Sequence, residues 1–450
     1  MRKYFQTVVI GAGVAGVAAA VAAAKHGSLT LLIEAGACPG GMGSAGLVPS
    51  FTPFSYKKKP IIAGIAGDLH GRMCQYGGSN HNPWPVIDAE WMKYVCDEML
   101  DEAGVDVRFM TVFCGAQTVG RRVREIRLLD RSGEYRVCGD NFIDCSGDAA
   151  LAYAVGVPVR SGDENDQTQP GSCCFALAGV NVKTILSSAG KECNSEVIHL
   201  TDLLRRQLRK WLQNGDLTND ENFEFHVAGA NLDQKCGILR VNFGHFYGLG
   251  SCDNVRISRM LMEGRRRIRE FVDCLRKSLP GMENAVLVAT PSLPDIRESR
   301  RIVGRKELSS AAFWNGETHE DDIALYDYCI DVHALSLQES LKGVDPAFVQ
   351  KLTKTKIEKY YGIPFGCCLT REFDNLAVAG RCVSASRDML GALRVMPAAM
   401  STGQAVGTAA ALSSPLADVN IAQLRETLER DGVILHFPQG SAVHFGKGEM

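Results

Sequence analysis

The chain opens with an apolar run, a glycine-rich turn and an alanine-rich segment, and this order strongly limits the fold that it can adopt. Thr7–Ile10 has the character of a short buried strand, and Val14–Lys25 predicts a helix that stops at Gly27. A second apolar run, Leu29–Ile33, predicts the next strand. Two strands joined by a helix form a βαβ unit, so we expect an α/β protein with a doubly wound sheet.

The glycines of the turn are Gly11, Gly13 and Gly16. The first permits a tight turn, the second lets the backbone approach a pyrophosphate, and the third lets helix and strand pack closely. The helix N-terminus offers unpaired N–H groups and a partial positive charge to the phosphates. Glu34 follows the second strand, where a carboxylate accepts hydrogen bonds from ribose hydroxyls. We therefore predict a dinucleotide site rather than an ordinary core helix.

The segment after Glu34 distinguishes between FAD and NAD as the dinucleotide. Residues 39–46 contain four glycines, which suits a backbone that passes close to a ribityl chain and an isoalloxazine ring. The chain also has one dinucleotide fingerprint, whereas an enzyme with a dedicated NAD(P)H domain usually has two. We therefore predict one bound FAD and no separate nicotinamide domain.

The charge and hydropathy patterns argue against several other classes of protein. The 49 basic and 51 acidic residues give a net charge of −2, so nothing favours nucleic acid as a partner. The apolar run from Val8 to Ala24, preceded by Arg2 and Lys3, resembles a signal peptide. The glycine spacing inside that run favours a folded nucleotide-binding unit instead. We expect a cytoplasmic protein without a membrane span.

The 16 cysteines do not form a recognisable metal or disulfide pattern. No two of them have the two-residue separation of zinc, iron–sulfur or thioredoxin-type sites. The neighbours Cys173 and Cys174 could line the substrate face of a flavin or form a redox pair, but a disulfide between adjacent residues closes a strained ring. We expect mostly reduced, buried cysteines and no metal site.

The length of 450 residues predicts more than one domain. We expect a Rossmann-like FAD-binding domain of the glutathione-reductase type with an inserted α+β substrate domain, and we read residues 105–114 as one strand of the first. The predicted divisions are a first FAD-binding part at 1–160, substrate-domain parts at 161–290 and 306–365, a junction at 291–305, a last FAD-binding part at 366–415, and a C-terminal helix and tail at 416–450.

Blocks spread over nearly the whole chain resemble a known family, the FAD-dependent oxidoreductases related to fumarate-reductase-type flavoproteins. More closely, they resemble a bacterial subgroup described as FAD-dependent oxidoreductases. The chain departs from the family pattern at Cys145-Ser146, where the family usually has Ala-Thr. Besides the fingerprint, the blocks are Val86–Glu90, Phe142–Asp148, Ile296–Gly304, Ile363–Phe365, Asn375–Cys382 and Leu393–Pro397.

The resemblance implies roles for the later blocks. Gly380 and Arg381 would lie near the FAD pyrophosphate. The helix that starts at Pro397 would point its N-terminus at flavin N1/O2, where the reduced ring carries negative charge. Together with the fingerprint, it implies FAD contacts from Gly11, Ala12, Gly13, Ala15, Gly16, Glu34, Ala35, Gly40, Gly41, Met42, Gly43, Ser44, Val112, Ser146, Gly147, Asp148, Arg301, Gly380, Arg381, Leu393, Arg394, Val395 and Met396.

Hydride transfer at flavin N5 also needs groups that move a proton and hold a substrate. Arg394 and Arg300 are candidate carboxylate anchors or acids, and a structural ion-pair cluster is the alternative for the arginine-rich block 296–304. His245 is a candidate general base, and His333 is a similar candidate; a hydrogen-bonded structural histidine is the alternative for both.

Three functions remain open at this point. The first is oxidation of an alcohol, amine or C–C bond of a small metabolite, with an unidentified electron acceptor or donor. The second is a fumarate-reductase-like reduction of an activated C=C bond. The third is a non-catalytic flavin electron carrier. We favour an enzyme of the first kind.

Overall fold

The computed structural model describes residues 3–189, 197–250, 252–343 and 360–437. Its strands are β1 (Tyr4–Ile10), β2 (Thr30–Ile33), β3 (Ser55–Tyr56), β4 (Lys59–Pro60), β5 (Asp106–Arg108), β6 (Val112–Val119), β7 (Arg122–Asp130), β8 (Gly133–Asp144), β9 (Val159–Arg160), β10 (Phe175–Ala178), β11 (Val197–His199), β12 (Phe223–Asp233), β13 (Ile238–Phe246), β14 (Val286–Ala289), β15 (Arg301–Ile302), β16 (Asp322–Tyr326), β17 (Tyr361–Pro364) and β18 (Leu376–Val378). Its α-helices are α1 (Val14–Lys25), α2 (Gly64–Gln75), α3 (Ala89–Glu102), α4 (Ala150–Ala154), α5 (Val182–Ala189), α6 (Thr201–Asn214), α7 (Asn254–Ser278), α8 (Ser310–Asn315), α9 (Leu337–Lys342), α10 (Arg387–Leu393), α11 (Met396–Leu412) and α12 (Ile421–Arg430).

The larger sheet has seven strands in the order β5-β2-β1-β8-β7-β6, with β18 beside β8. β1 runs parallel to β2 and β8, and β2 runs parallel to β5. The long strand β8 pairs antiparallel with β7 at its start and parallel with β18 at its end. The carboxyl ends of β1, β2, β8 and β18 therefore meet at one edge. This arrangement confirms the predicted α/β class, and α1 has the predicted bounds.

One predicted strand was wrong in its extent. Residues 105–114 do not form a single strand, because β5 ends at Arg108 and β6 begins at Val112. Met110 lies between them with a φ of +52°, in the left-handed region that an extended strand cannot contain. The chain turns there, and its two halves pair with different neighbours: β5 with β2, and β6 with β7.

A second sheet of five strands has the order β11-β12-β13-β10-β14 with antiparallel neighbours. Because side chains alternate between the two faces of a strand, β12 and β13 can be apolar on one face and polar on the other. Phe225, Val227, Val241 and Phe243 lie on the apolar face, which packs against α6 and α7 in a hydrophobic core of its own. The opposite face is left for polar side chains.

Helices α1 and α11 pack with their backbones almost in contact. A Cβ atom added at Gly403 would lie 2.1 Å from the carbonyl oxygen of Ala15, and one added at Gly407 would lie 2.1 Å from that of Ala19. Only glycine permits this approach. Both helices are rich in alanine, yet among the described helices none combines the length and the hydropathy that crossing a bilayer requires.

Replacing Gly407 with alanine should destabilise the protein, because the new Cβ would force α1 and α11 apart. We expect the free energy of unfolding to fall by about 1–3 kcal/mol, measured by urea denaturation. Gly71→Ala in α2 is the matched control. A Cβ at Gly71 meets no atom within 4 Å, and alanine favours a helix by about 1 kcal/mol. Equal stability of the two variants would contradict the packing described here.

Candidate functional site

The turn between β1 and α1 requires glycine for reasons of packing. Gly11 has a φ of +94°, and a Cβ there would lie 2.6 Å from the carbonyl oxygen of Cys145. A Cβ at Gly16 would lie 1.8 Å from the carbonyl oxygen of Gly11. Gly13 differs, since a Cβ there meets no atom within 4 Å. The open space at Gly13 is where the first turn of α1 can receive a phosphate, because no side chain caps this helix N-terminus.

Glu34 holds the glycine turn from the end of β2. One carboxylate oxygen accepts a hydrogen bond of 2.7 Å from the N–H of Ala12, and the other accepts one of 2.7 Å from the N–H of Gly36. A carboxylate has about four lone-pair sites, so further acceptor capacity remains for ribose hydroxyls. The position and chemistry of Glu34 fit the sugar of a dinucleotide.

The second glycine run lies directly against the turn. The N–H of Gly40 donates to the carbonyl of Ala12 at 2.8 Å, and Gly13 and Gly40 form an isolated β-bridge. Gly41 has a φ of +53°, and a Cβ there would lie 2.9 Å from the Cα of Gly13. The residues from Gly40 to Ser44 thus lie against the turn, and we call the backbone of Gly11–Gly16 and Gly40–Ser44 together the glycine floor. A backbone without bulky side chains can lie next to a ribityl chain.

The loops after β8 and β18 meet at the same edge through Arg381. Its guanidinium donates to the carbonyl of Gly147 at 2.8 Å and to Asp148 at 2.9 Å, and it also bonds the carbonyl of Ile296. Asp144 shapes the first loop by accepting from Ser146 and from the N–H of Ala152. Burial raises the pKa of Asp144, and these hydrogen bonds offset part of that rise.

The N-terminus of α11 faces this edge as well. Val395 is extended at the N-cap, and no side chain satisfies the first N–H groups of the helix. The sulfur of Met396 lies 3.3 Å from the position of a Cβ on Gly43, so the helix begins beside the second glycine run. Uncapped N–H groups at this place suit a reduced flavin, which carries negative charge at N1/O2.

The polar face of the five-stranded sheet gathers a second set of side chains. Glu224 and His226 lie on β12, and His245 lies opposite Glu224 on β13. The rings of His226 and His245 stack at 3.9 Å with an interplanar angle of 16°, and His333 meets His245 edge-on at 5.0 Å. The ligand atoms of Glu224, His226 and His245 lie within 4.8 Å of one another, but a metal ion cannot lie in the planes of two nearly parallel rings stacked at 3.9 Å.

Three hydrogen-bond donors surround Glu224. His245 Nδ1 lies 3.1 Å from its carboxylate, the hydroxyl of Tyr247 donates at 2.6 Å, and that of Ser340 donates at 2.9 Å. Burial disfavours the charge of Glu224, but these bonds outweigh it and lower its pKa to about 2. Burial also lowers the pKa of His245 and takes that of His226 to about 3. At neutral pH the group is one carboxylate beside neutral imidazoles.

The arrangement leaves one ring nitrogen of His245 available. With Nδ1 donating to Glu224, the neutral ring carries its lone pair on Nε2. Nε2 is buried and has no hydrogen-bond partner among the residues that the structure describes. The same holds for one polar atom in each of the side chains of Gln169, Asn242 and Arg394, and the other amide atom of Gln169 accepts from the N–H of His333. Buried polar atoms without partners are rare in folded proteins, so they indicate a place for a ligand.

Two arginines add positive charge to this region. Arg394 contacts Asp331 at 3.2 Å, and His333 lies 3.5 Å from the same carboxylate. Arg297 is 3% exposed and donates to the carbonyl of Pro170 at 2.6 Å. Burial, followed by the charges of Arg297 and Arg394, holds the pKa of His333 well below its ordinary value. The positive charges of this region are therefore the two guanidinium groups, and Asp331 and Asp295 lie beside them.

The structure brings together two of the three predicted catalytic residues. His245 and Arg394 are linked through His333 and Asp331. The guanidinium of Arg300 lies 4.2 Å from the ring centre of Tyr153, and its Nε has no hydrogen-bond partner among the described residues. Its predicted role, like the other predicted contacts, stays a prediction.

Four further residues were predicted to contact FAD, and their surroundings in the structure differ from one another. Arg301 pairs with the buried Glu298 at 3.3 Å and donates to the carbonyl of Ala385. Val112 starts β6 and is 46% exposed, next to Thr111, whose N–H donates to the carbonyl of Glu34. Ala35 is exposed, and Leu393 is buried just before Arg394.

Sequence reasoning missed Glu224 and His226. The signal was the alternation of polar and aromatic residues in Glu224-Phe225-His226. His245 is less regular, because strict alternation would put it on the same face as Phe243. Gly244, with a φ of +76°, breaks the alternation and turns His245 onto the polar face.

The fold and the glycine-rich edge define a dinucleotide-binding α/β protein. The chain matches the family model described as FAD dependent oxidoreductase over residues 6–428, and it belongs to this family. It is therefore an enzyme that uses FAD, as predicted. No curated protein sequence matches the chain.

Several solved structures align with most of this chain at low sequence identity. A geranylgeranyl bacteriochlorophyll reductase-like protein from Thermoplasma acidophilum is 11% identical, with 96% of this chain and 83% of that chain covered and a TM-score of 0.44. The flavin-dependent brominase Bmp2 is 12% identical over 95% and 83%, with a TM-score of 0.45. The myxobacterial chondrochloren halogenase is 12% identical over 95% and 79%, with a TM-score of 0.42.

Replacing Gly13 with alanine should weaken FAD binding without unfolding the protein. Gly13 has a φ of −61°, which alanine adopts freely, and its Cβ would enter the open space at the helix N-terminus. We expect the dissociation constant of FAD to rise about tenfold or more, equivalent to about 1.4 kcal/mol. The measurement is a fluorescence titration of the FAD-free protein, with Gly71→Ala as the control. Unchanged FAD affinity would argue against the placement of the phosphates.

Proposed function

We propose that the enzyme oxidises a small anionic metabolite by removing a hydride from carbon and a proton from a neighbouring hydroxyl or amine. The observation that carries this proposal is the buried Nε2 of His245, which has no partner among the described residues while Nδ1 is held by Glu224. When bound, FAD supplies the acceptor for the hydride. The glycine floor, Glu34 and Arg381 would hold it.

His245 is the proposed general base. A neutral imidazole whose Nδ1–H is held by a carboxylate can accept a proton at Nε2. Glu224 stabilises the imidazolium that forms, in the way that a carboxylate orients and supports a catalytic histidine. Tyr247 and Ser340 act as positioning residues, because they hold the carboxylate in place.

Arg297 and Arg394 are the proposed anchors for an anionic group of the substrate. Arg297 is almost fully buried, and it is served by a carbonyl and by Asp295 at 3.9 Å, a weak contact for a charged group. Nε of Arg394 is buried and lacks a partner among the described residues. Arg394 also contacts Asp331 at 3.2 Å, so an anion would add hydrogen bonds to the two guanidinium groups, whose geometry matches a carboxylate well.

A second function is supported by the same unpartnered Nε of Arg394. In a fumarate-reductase-like reaction, an arginine supplies the proton while a hydride adds to an activated C=C bond. Arg394 would then be the acid and His245 a substrate ligand. The two functions differ in the direction of electron flow, and anaerobic flavin reduction by a donor distinguishes them.

We also propose which sheet binds FAD and which binds the substrate. The seven-stranded sheet would be an FAD-binding domain of the glutathione-reductase type, comprising residues 1–160, 291–305 and 366–415. Residues 161–290 and 306–365 would form the substrate domain inserted into it, and 416–450 the C-terminal helix and tail. The polar face of the five-stranded sheet supports this reading, because it carries the candidate base.

Anaerobic mixing with a panel of 2-hydroxy acids, amino acids and neutral sugars tests the reaction class. We expect an anionic donor to bleach the flavin and neutral donors to leave it oxidised. If enoates oxidise a chemically reduced enzyme while no donor bleaches the oxidised form, the second function stands instead. Bleaching by neutral donors alone would contradict the anchor role of the arginines.

Oxalate, an anion that resists this oxidation, tests the anchors independently of turnover. We expect it to perturb the flavin spectrum and to bind at least about tenfold more weakly to Arg394→Gln and Arg297→Gln, since a charged hydrogen bond contributes about 1.5–3 kcal/mol. Arg256→Gln is the matched control, because Arg256 is an exposed arginine on α7. Equal oxalate affinity in all variants would overturn the assignment.

Replacing Glu224 with glutamine should have two separable effects. The carboxylate raises the pKa of His245 by hydrogen bonding, so its loss should lower that pKa further and remove the support of the imidazolium. The base works when neutral, so kcat/KM falls as the pH drops through its pKa, which lies below the ordinary value of about 6.5.

For Glu224→Gln we therefore expect flavin reduction slower by about tenfold or more, with an acidic limb at lower pH than in the parent enzyme. Stopped-flow measurement between about pH 5 and pH 9, with a donor from the panel, gives both quantities. His245→Gln should abolish the limb altogether. A merely structural role of Glu224 would slow the reaction without moving the limb.

A further inference from the structure

The end of α2 and the turn after it bring together three residues that bind metals well. His70 and Cys74 lie one helical turn apart on α2, and His81 lies in the following turn. The sulfur of Cys74 is 3.5 Å from Nε2 of His70, and the rings of His70 and His81 are 5.7 Å apart at an angle of 79°. Each residue offers one ligand atom, and the three atoms lie within 4.8 Å of one another.

One of these separations matches a tetrahedral zinc site. With Zn–S of about 2.3 Å and Zn–N of about 2.0–2.1 Å, a sulfur and a nitrogen on the same ion are about 3.5 Å apart. The pair Cys74 and His70 already has this spacing. The rings of His70 and His81 meet at 79° and do not stack, in contrast to those of His226 and His245.

The surroundings hold the ligands in place. The ring of His70 stacks on Phe54 at 4.8 Å and meets Phe51 edge-on at 6.0 Å. The carbonyl oxygen of Asn80 lies 3.0 Å from Nε2 of His70. The hydroxyl of Ser79 donates to the carbonyl of Val86 at 2.7 Å and fixes the turn that carries His81.

We propose that His70, Cys74 and His81 bind one zinc ion, with the carbonyl oxygen of Asn80 or a water molecule as the fourth ligand. Zinc replaces the thiol proton of Cys74, and that proton is released to solvent. A thiolate with two imidazoles is a ligand set that zinc prefers to magnesium or calcium. The expectation of no metal site considered cysteine pairs, whereas these ligands follow the spacing His-x3-Cys-x6-His.

The site would be structural and would lie outside the proposed substrate face. It would tie α2 to the segment that leads to Trp84, whose ring is 6.0 Å from that of Tyr328. The hydroxyl of Tyr328 contacts Asp331, the partner of Arg394. Zinc would thereby steady one wall beside the substrate face without contacting a substrate.

The test uses the full chain with FAD bound, freed of metal by a chelator and titrated with Zn²⁺ against a chromophoric chelator. We expect one tight zinc ion per chain, and an affinity lower by about 100-fold in Cys74→Ser and in His81→Ala. Cobalt in place of zinc should give a thiolate charge-transfer band in the difference spectrum, lost in Cys74→Ser. Flavin content per chain reports whether each variant folds. Because His81 is exposed, His81→Ala should disturb folding less than Cys74→Ser.

Two controls locate the ion. Cys114→Ser changes an exposed cysteine on β6 and should leave zinc affinity unchanged. His245→Gln should also leave it unchanged. No bound zinc, a zinc affinity of Cys74→Ser and His81→Ala that equals that of the unaltered protein, or loss of zinc only in His245→Gln would each overturn the proposal. The contact between Cys74 and His70 would then be a thiol–imidazole hydrogen bond alone.

Discussion

The close backbone contact between α1 and α11 is the constraint on which the rest of the structure depends. Gly403 and Gly407 let the two helices approach until no side chain fits between them. The N-terminus of α1 carries the glycine turn, and the N-terminus of α11 follows Arg394. One helix contact therefore sets the distance between the dinucleotide edge and Arg394. Thr402 attaches the loop after β18 to α11, because its hydroxyl accepts from the N–H of Gly380 at 3.0 Å.

Burial of charge divides the candidate site into two regions. Glu224 keeps its charge because three hydrogen-bond donors replace the water that it lost, and its pKa falls to about 2 in spite of burial. His226, His245 and His333 respond in the opposite way and become neutral, since burial penalises their charged forms. The result is a carboxylate–imidazole pair next to two arginines, each of which has an acidic partner.

The parts of the fold that depend on local sequence were predictable, and those that depend on single backbone angles were not. The bounds of α1 follow from its composition and from Gly27. Both neighbouring strands were identified from their apolar runs. The break between β5 and β6 rests on the φ of Met110, which no periodicity reveals. His245 was recognised as a candidate base, but its partner Glu224 was not, because Gly244 reverses the alternation of β13.

The sequence by itself determined the class of the protein: strand, glycine turn, helix, strand and acid occur in one short segment, and their spacing alone predicts a dinucleotide site. The tertiary structure alone decided which distant residues meet. Glu224, His333 and Arg394 are far apart in the chain and carry no local pattern that links them. They come together because the polar face of one sheet and the N-terminus of α11 lie at a common edge, and packing between elements is not encoded in any one of them.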